Sequence, residues 1–263
     1  GRYESIFLFH AGSDGQNDIG FPPTCNDLFT GFIRFGDSLA VDHDSNFVRT
    51  ALLMPETTNQ DNRATAMNAV IAHEFGHQLG LVDLYSTSTF MSMLGDFALM
   101  DNNGFGSGID FGFEVGSVFG AIPLYPMAWS RAYLGFVDVV DYREKTDVRL
   151  VAAEMISGGI KVARVPITEY EYYLLENRLV DIDGEPPAAK QDTLSYVLLG
   201  PTDTTHGELN GEYDFLMPGS GVLVYHVDER VAALDYDYDG VNNFQDNQLQ
   251  WARDIYGNDV DQF

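Results

Sequence analysis

Apolar residues fall along this chain in two rhythms, and the change between them organises it. Before residue 60, the runs Ser5 to His10, Phe32 to Phe35 and Phe47 to Met54 are rich in β-branched and aromatic residues. Loops of Gly, Asp and Asn separate them, so they predict three strands. The rhythm then becomes helical. Asp61 and Asn62 are capping residues, the next turns are rich in Ala, and Met67, Val70 and Ile71 share one stripe, which predicts a helix from about Asn62 to Leu79. Tyr85 to Gly120 is irregular and rich in Gly and Met, a length that suits a site wall or groove better than a plain connection. Pro126 to Leu134 predicts a short helix stopped by Gly135. Five short strand-like runs follow: Val148–Glu154, Ile160–Val165, Tyr172–Asn177, Leu194–Leu199 and Val222–Val227. The expected architecture is α+β, with a helix-bearing lobe over residues 1–140 and a β-rich lobe over 141–263.

The segment at the end of the predicted helix, His73-Glu74-Phe75-Gly76-His77-Gln78-Leu79-Gly80-Leu81-Val82-Asp83, carries the chemistry. Two imidazoles four residues apart project from one helical face and can hold one zinc ion. Glu74 between them is placed to take a proton from a zinc-bound water. Gly80 permits the left-handed turn that ends a helix, and that turn would swing Asp83 back as a third ligand. Two imidazoles, a carboxylate and a water make an open, catalytic site. Asp83 has two other readings, a helix-end acid on the surface or a partner that orients an imidazole. A chance H-E-x-x-H would lack the capped, Ala-rich run before it and the glycine after it.

These residues are similar to the zinc-binding segment of the immune inhibitor A family of secreted metalloproteases, metzincin-like enzymes in which Asp replaces the usual third His. Further stretches resemble that family in the same order: Ile6 to Gly12, Gly95 to Gly104, Ala128 to Phe136, Glu171 to Arg178 and Pro218 to Glu229. Val82 stands where the family commonly has Pro, and the family's ending is not recognisable past Gln250. The resemblance implies a zincin-like catalytic lobe, an extracellular setting and proteolysis. It also implies that Met100 lies beneath the metal ligands as an apolar floor. The bland alternative for Met100 is a core methionine in a stretch that also holds Met91 and Met93.

Composition narrows the partners. With 40 acidic against 14 basic residues the net charge is −26, a surface that repels nucleic acid and anionic membrane. Such acidity suits a halophilic protein or a calcium-loaded one. The chain is 45% hydrophobic with 18 Phe and 14 Tyr, ample for a core, and no run of 18 apolar residues is present to span a membrane. Cys25 is the single cysteine, which excludes an internal disulfide and reads as a small buried residue or a free thiol.

A second metal-like spacing lies at residues 235–246. Asp235, Asp237, Asp239, Asn243 and Asp246 offer oxygens at positions 1, 3, 5, 9 and 12 of a calcium loop, Gly240 stands at 6, and Val241 offers its carbonyl at 7. A solvated acidic loop is the alternative. His226 alternates with Val222 and Val224 on one strand face and is a candidate to stabilise an oxyanion, against a satisfied core histidine. Tyr85 and Tyr225 are further candidates for that role. If Asp83 is not a ligand, Glu114 and Glu176 are the next acids to consider.

Together these observations predict a secreted zinc-dependent endopeptidase acting on proteins or peptides through a zinc-bound water and the general base Glu74, with calcium as a second metal. The alternative is a non-catalytic, metal-bearing surface or adhesion module.

Overall fold

The computed structural model describes residues 5–15, 28–43, 46–57, 66–86, 91–101, 109–110, 117–155, 158–182, 189–191, 198–201 and 213–232. Strands β1 (Phe7–His10), β2 (Gly31–Val41) and β3 (Asn46–Pro55) form one sheet in the order β1-β3-β2. β1 runs parallel to β3 and β2 antiparallel to it, with a register irregularity between Arg34 and Leu39. Helix α1 (Asn68–Gln78) packs across β2 and β3. Its cover explains why Ala51, Leu52 and Met54 of β3 are fully buried while the start of that strand alternates with solvent.

Two ribbons follow, β4 (Tyr85–Ser86) with β5 (Met91–Ser92) and β6 (Ile109–Asp110) with β7 (Ser117–Val118). Helix α2 (Ala128–Tyr133) then leads into β8 (Val139–Asp141), β9 (Val162–Pro166) and β10 (Glu171–Arg178). A third ribbon pairs β11 (Ala189–Gln191) with β12 (Leu198–Pro201), and β13 (Gly221–Asp228) and α3 (Glu229–Ala232) complete the described chain. β13, β10, β9 and β8 make a four-stranded sheet in that order. β10 alternates as an amphipathic strand should, with Tyr172, Leu174, Glu176 and Arg178 all turned to the core. One apolar cluster joins Leu81, Met100 and Trp129 to Val162, Leu174 and Tyr225, so residues from both sides of position 140 share a core.

This architecture corrects the α+β, zincin-like (metzincin-type) expectation. The described residues are mostly β, organised by the three-stranded and four-stranded sheets, and their three α-helices are short, at 11, 6 and 4 residues. Among the described residues the helix expected from Asn62 to Leu79 runs from Asn68 to Gln78. Ala66 and Met67 precede the helix, the Ala66 and Ala69 amides donate to the Phe119 and Gly120 carbonyls, and the Asn68 side chain donates to the Ala121 carbonyl. At Ala66 and Ala69, tertiary hydrogen bonds to a distant segment thus satisfy amides that lack an intrahelical partner at the helix start. α2 ends just before Gly135, whose φ is +70°. Val148–Glu154, expected as a strand, makes only isolated bridges at Leu150 and Ala152.

Candidate metal centre

The centre is built from the last two turns of α1 and the chain reversal after them. Helical rotation buries His73 and His77 on the inward face, leaves Glu74 half-buried and exposes Phe75. The helix stops at a glycine: Gly80, at φ +98°, donates its amide to the His77 carbonyl at 2.9 Å, and Leu81 donates to the Gly76 carbonyl at 3.0 Å. This paired closure satisfies carbonyls the helix end would otherwise strand, and it needs a residue without Cβ at the left-handed position. The reversal carries Asp83 back over the helix, where its Oδ1 lies 3.1 Å from His73 Nε2 and 3.2 Å from His77 Nε2. All three side chains are buried, and together they form a group that could hold a metal ion.

Backbone carbonyls set which ring nitrogen faces the centre. His73 Nδ1 donates to the Leu99 carbonyl at 2.9 Å, and His77 Nδ1 donates to the Leu81 carbonyl at 2.8 Å. Each Nε2 is therefore left to point at Asp83, the second-layer arrangement that orients metal-binding imidazoles. Burial alone would lower the pKa of His77, but the adjacent Asp83 carboxylate outweighs it and raises the value to about 9. Burial likewise opposes ionisation of Asp83, yet His77 and His73 hold its carboxyl well below the usual range.

Glu74 is held apart from this group. Its Oε2 accepts the Phe32 amide of β2 at 2.8 Å, and β2 lies at the edge of its sheet. The carboxylate is anchored beside the two imidazoles, and the Phe32 ring sits 6.3 Å from that of His77. Met100 is fully buried against α1 between the two histidines: a Cβ added at Gly76 would fall 2.6 Å from its sulfur. Tyr85 stands on the other side, its ring 6.3 Å from that of His73. Burial, followed by the charges of Asp83 and Glu74, pushes that phenol far above its ordinary pKa.

The remaining candidates go elsewhere. His226 shares the outward face of β13 with the exposed Val222 and Val224, and its ring donates to Glu171 at 3.1 Å and lies 5.3 Å from Tyr173. Tyr225 points inward and donates to Glu176 Oε1 at 2.8 Å. Glu176 is buried in ion pairs with Arg131 and Arg178. The calcium candidates Asp235, Asp237, Asp239, Val241, Asn243 and Asp246 lie outside the described residues, as do Cys25 and Glu114.

Sequence reasoning did not single out the Leu99 and Leu81 carbonyls, the anchoring amide of Phe32, or Asp101. The Asp101 carboxylate is fully buried and accepts the amides of Met93, Leu94 and Gly95 at 2.8, 2.6 and 3.1 Å. Backbone groups have no signature in a sequence. The charged pair Glu176 and Arg178 did have one, since both continue the inward-facing alternation that begins with Tyr172 and Leu174. Comparison with models of known protein families, with curated proteins and with solved structures finds no match.

Proposed function

We propose that this protein is a zinc-dependent endopeptidase in which His73, His77 and Asp83 hold the metal and Glu74 is the general base. One observation carries the reading: three buried donors converge, and a fourth residue, Glu74, stands beside them without joining them. The donor set of two imidazoles and one carboxylate suits zinc. Its Nε2–Oδ1 separations of 3.1 and 3.2 Å also come near the ligand spacing of about 3.3 Å that follows from zinc bonds of about 2.0–2.2 Å in a tetrahedron. A zinc ion would supply Lewis acidity, bringing the pKa of a water toward neutrality and polarising a peptide carbonyl.

The residues of the chain do the rest. Glu74 takes the proton of the attacking water and returns it to the leaving amine, so the peptide bond breaks without net change in its own charge. The Phe32 amide holds the Glu74 carboxylate in place, which limits the reorientation needed before transfer. The motif likeness to immune inhibitor A supports a secreted enzyme acting on proteins or peptides. The deciding experiment is hydrolysis of an unfolded protein, abolished by a zinc chelator and restored by zinc. Stoichiometric zinc without hydrolysis would instead support a non-catalytic, metal-bearing module.

From the sequence spacing we also propose calcium at residues 235–246. Chelating calcium with zinc kept in place should lower the melting temperature, and Asp237→Ala should remove that response. A melting curve indifferent to calcium overturns it.

A further inference from the structure

We propose that Arg178, held in a buried ion-pair network on the four-stranded sheet, positions the metal ligands His73 and Asp83 through the backbone of Phe97 to Met100. This rests on the reading of His73, His77 and Asp83 as the metal ligands.

The guanidinium of Arg178 is fully buried, and its bonds use its whole donor set. Nε and one terminal nitrogen form a fork on Asp214. The remaining bonds go to Glu176 Oε1 at 3.2 Å, the Phe97 carbonyl at 3.2 Å and the Tyr125 carbonyl at 3.3 Å. Five acceptors for five N–H groups leave the plane of the side chain no alternative orientation. Glu176 is fixed in turn by Arg131, by the Tyr225 hydroxyl and by the Ala128 amide. A buried network of this kind need not add net stability, because apolar packing of equal volume often serves as well. It does impose direction, since hydrogen bonds to planar groups have angular demands that apolar contacts lack.

That direction reaches the metal centre along a short path. Phe97 is two residues before Leu99, whose carbonyl sets the His73 ring, and three before Met100, whose carbonyl accepts the Leu84 amide at 2.8 Å. Leu84 immediately follows Asp83. The segment between Met93 and Asp101 is gathered from within by the Asp101 carboxylate on the amides of Met93, Leu94 and Gly95. It therefore moves as a unit, and Arg178 is its tie to the sheet. The His77 ring directs its hydrogen bond elsewhere, to the Leu81 carbonyl within the turn that ends α1. A displaced Phe97 would shift two ligands against the third, which weakens a centre more than a common movement does.

Arg178→Lys keeps the charge but offers three donors from a point, and cannot span Asp214, Glu176 and two carbonyls. Arg131→Lys is the control, because Arg131 is also buried and paired with Glu176, yet its Nε donates to the Pro126 carbonyl and not to the Phe97 segment. Zinc affinity is measured by competition with a chromophoric chelator, and cobalt(II) is added separately to read the visible ligand-field bands. Arg178→Lys should lose roughly ten- to a hundred-fold in zinc affinity, the scale for disturbed support of metal ligands, with displaced cobalt bands. Arg131→Lys should stay within about three-fold of the parent with unchanged bands. If Arg178→Lys does not fold, Asp214→Asn, which loosens the fork but keeps the arginine, should shift both readouts in the same direction. The proposal is overturned if the folded variant at Arg178 or Asp214 matches the parent in both readouts, or if Arg131→Lys matches Arg178→Lys. A parent that binds neither zinc nor cobalt would instead remove the metal-centre reading itself.

Discussion

The contact between Gly76 and Met100 offers a sharp test of how the centre is supported. Gly76→Ala adds one methyl group in the middle of α1, between the two histidines. On an exposed helix that exchange would stabilise by about 1 kcal/mol, because glycine is the poorer helix former. Here the new Cβ would fall 2.6 Å from Met100 Sδ, 3.2 Å from its Cε and 3.4 Å from Leu81 Cδ1. Overpacking of this kind costs about 1–3 kcal/mol, so the helical gain should be cancelled or exceeded. Met100 is fully buried, and the carbonyl of Leu99 beside it orients His73, so relief of the clash should also disturb the metal ligands. Urea unfolding of metal-free protein and zinc competition give the two readouts. A double-mutant cycle with Met100→Val, which has no atom at the sulfur position, isolates the contact: in that background Gly76→Ala should become neutral or stabilising. If Gly76→Ala stabilises the parent by the full helical gain, or costs the same in both backgrounds, the argument fails.

Three further outcomes are expected. Glu74→Gln keeps an oxygen for the Phe32 amide but cannot accept the water's proton, so zinc content should hold while hydrolysis falls about 10²–10⁴-fold; loss of stoichiometric zinc would make Glu74 a ligand. His77 must lose a proton to bind metal, and in the metal-free centre its pKa is raised to about 9, so apparent zinc affinity should climb nearly ten-fold per pH unit from 6 to 8 and level off above 9. Asp83→Asn removes the main cause of that raised pKa and should shift the rise to lower pH; a pH-independent affinity in the parent contradicts the assignment. Glu154 is pushed up to about 9, by burial and then by the charge of Asp214, so the folded state holds its proton where the unfolded chain has released it. Its contribution is fully present below about pH 4.5 and is lost as pH rises toward 9, and Glu154→Gln should flatten that decline in urea-measured stability.

Whatever depends on local periodicity was readable along the chain. The positions of His73 and His77 follow from the helical repeat, and the stop at Gly80 follows from the absence of a Cβ at φ +98°. Strands β2, β3, β10 and β13 were visible as apolar or alternating runs for the same reason. The grouping of Asp83 with the imidazoles was legible too, since ten residues of helix, turn and return leave the chain little freedom. Tertiary structure decided the rest. It started α1 at Asn68, because the Ala66 amide before it and the Ala69 amide in its first turn found the Phe119 and Gly120 carbonyls, and a partner some fifty residues away leaves no local pattern. It made the described chain mostly β, because the sheets, and not the short helices, supply the faces that the core needs. His226 and Tyr225, neighbours in one strand, were sent to opposite faces, one to Glu171 and the other to Glu176. The burial of Arg178 beneath the Phe97 segment was also a tertiary matter: a charged residue in a strand announces only that it needs a partner, and the partner's identity depends on which surfaces the completed fold brings together.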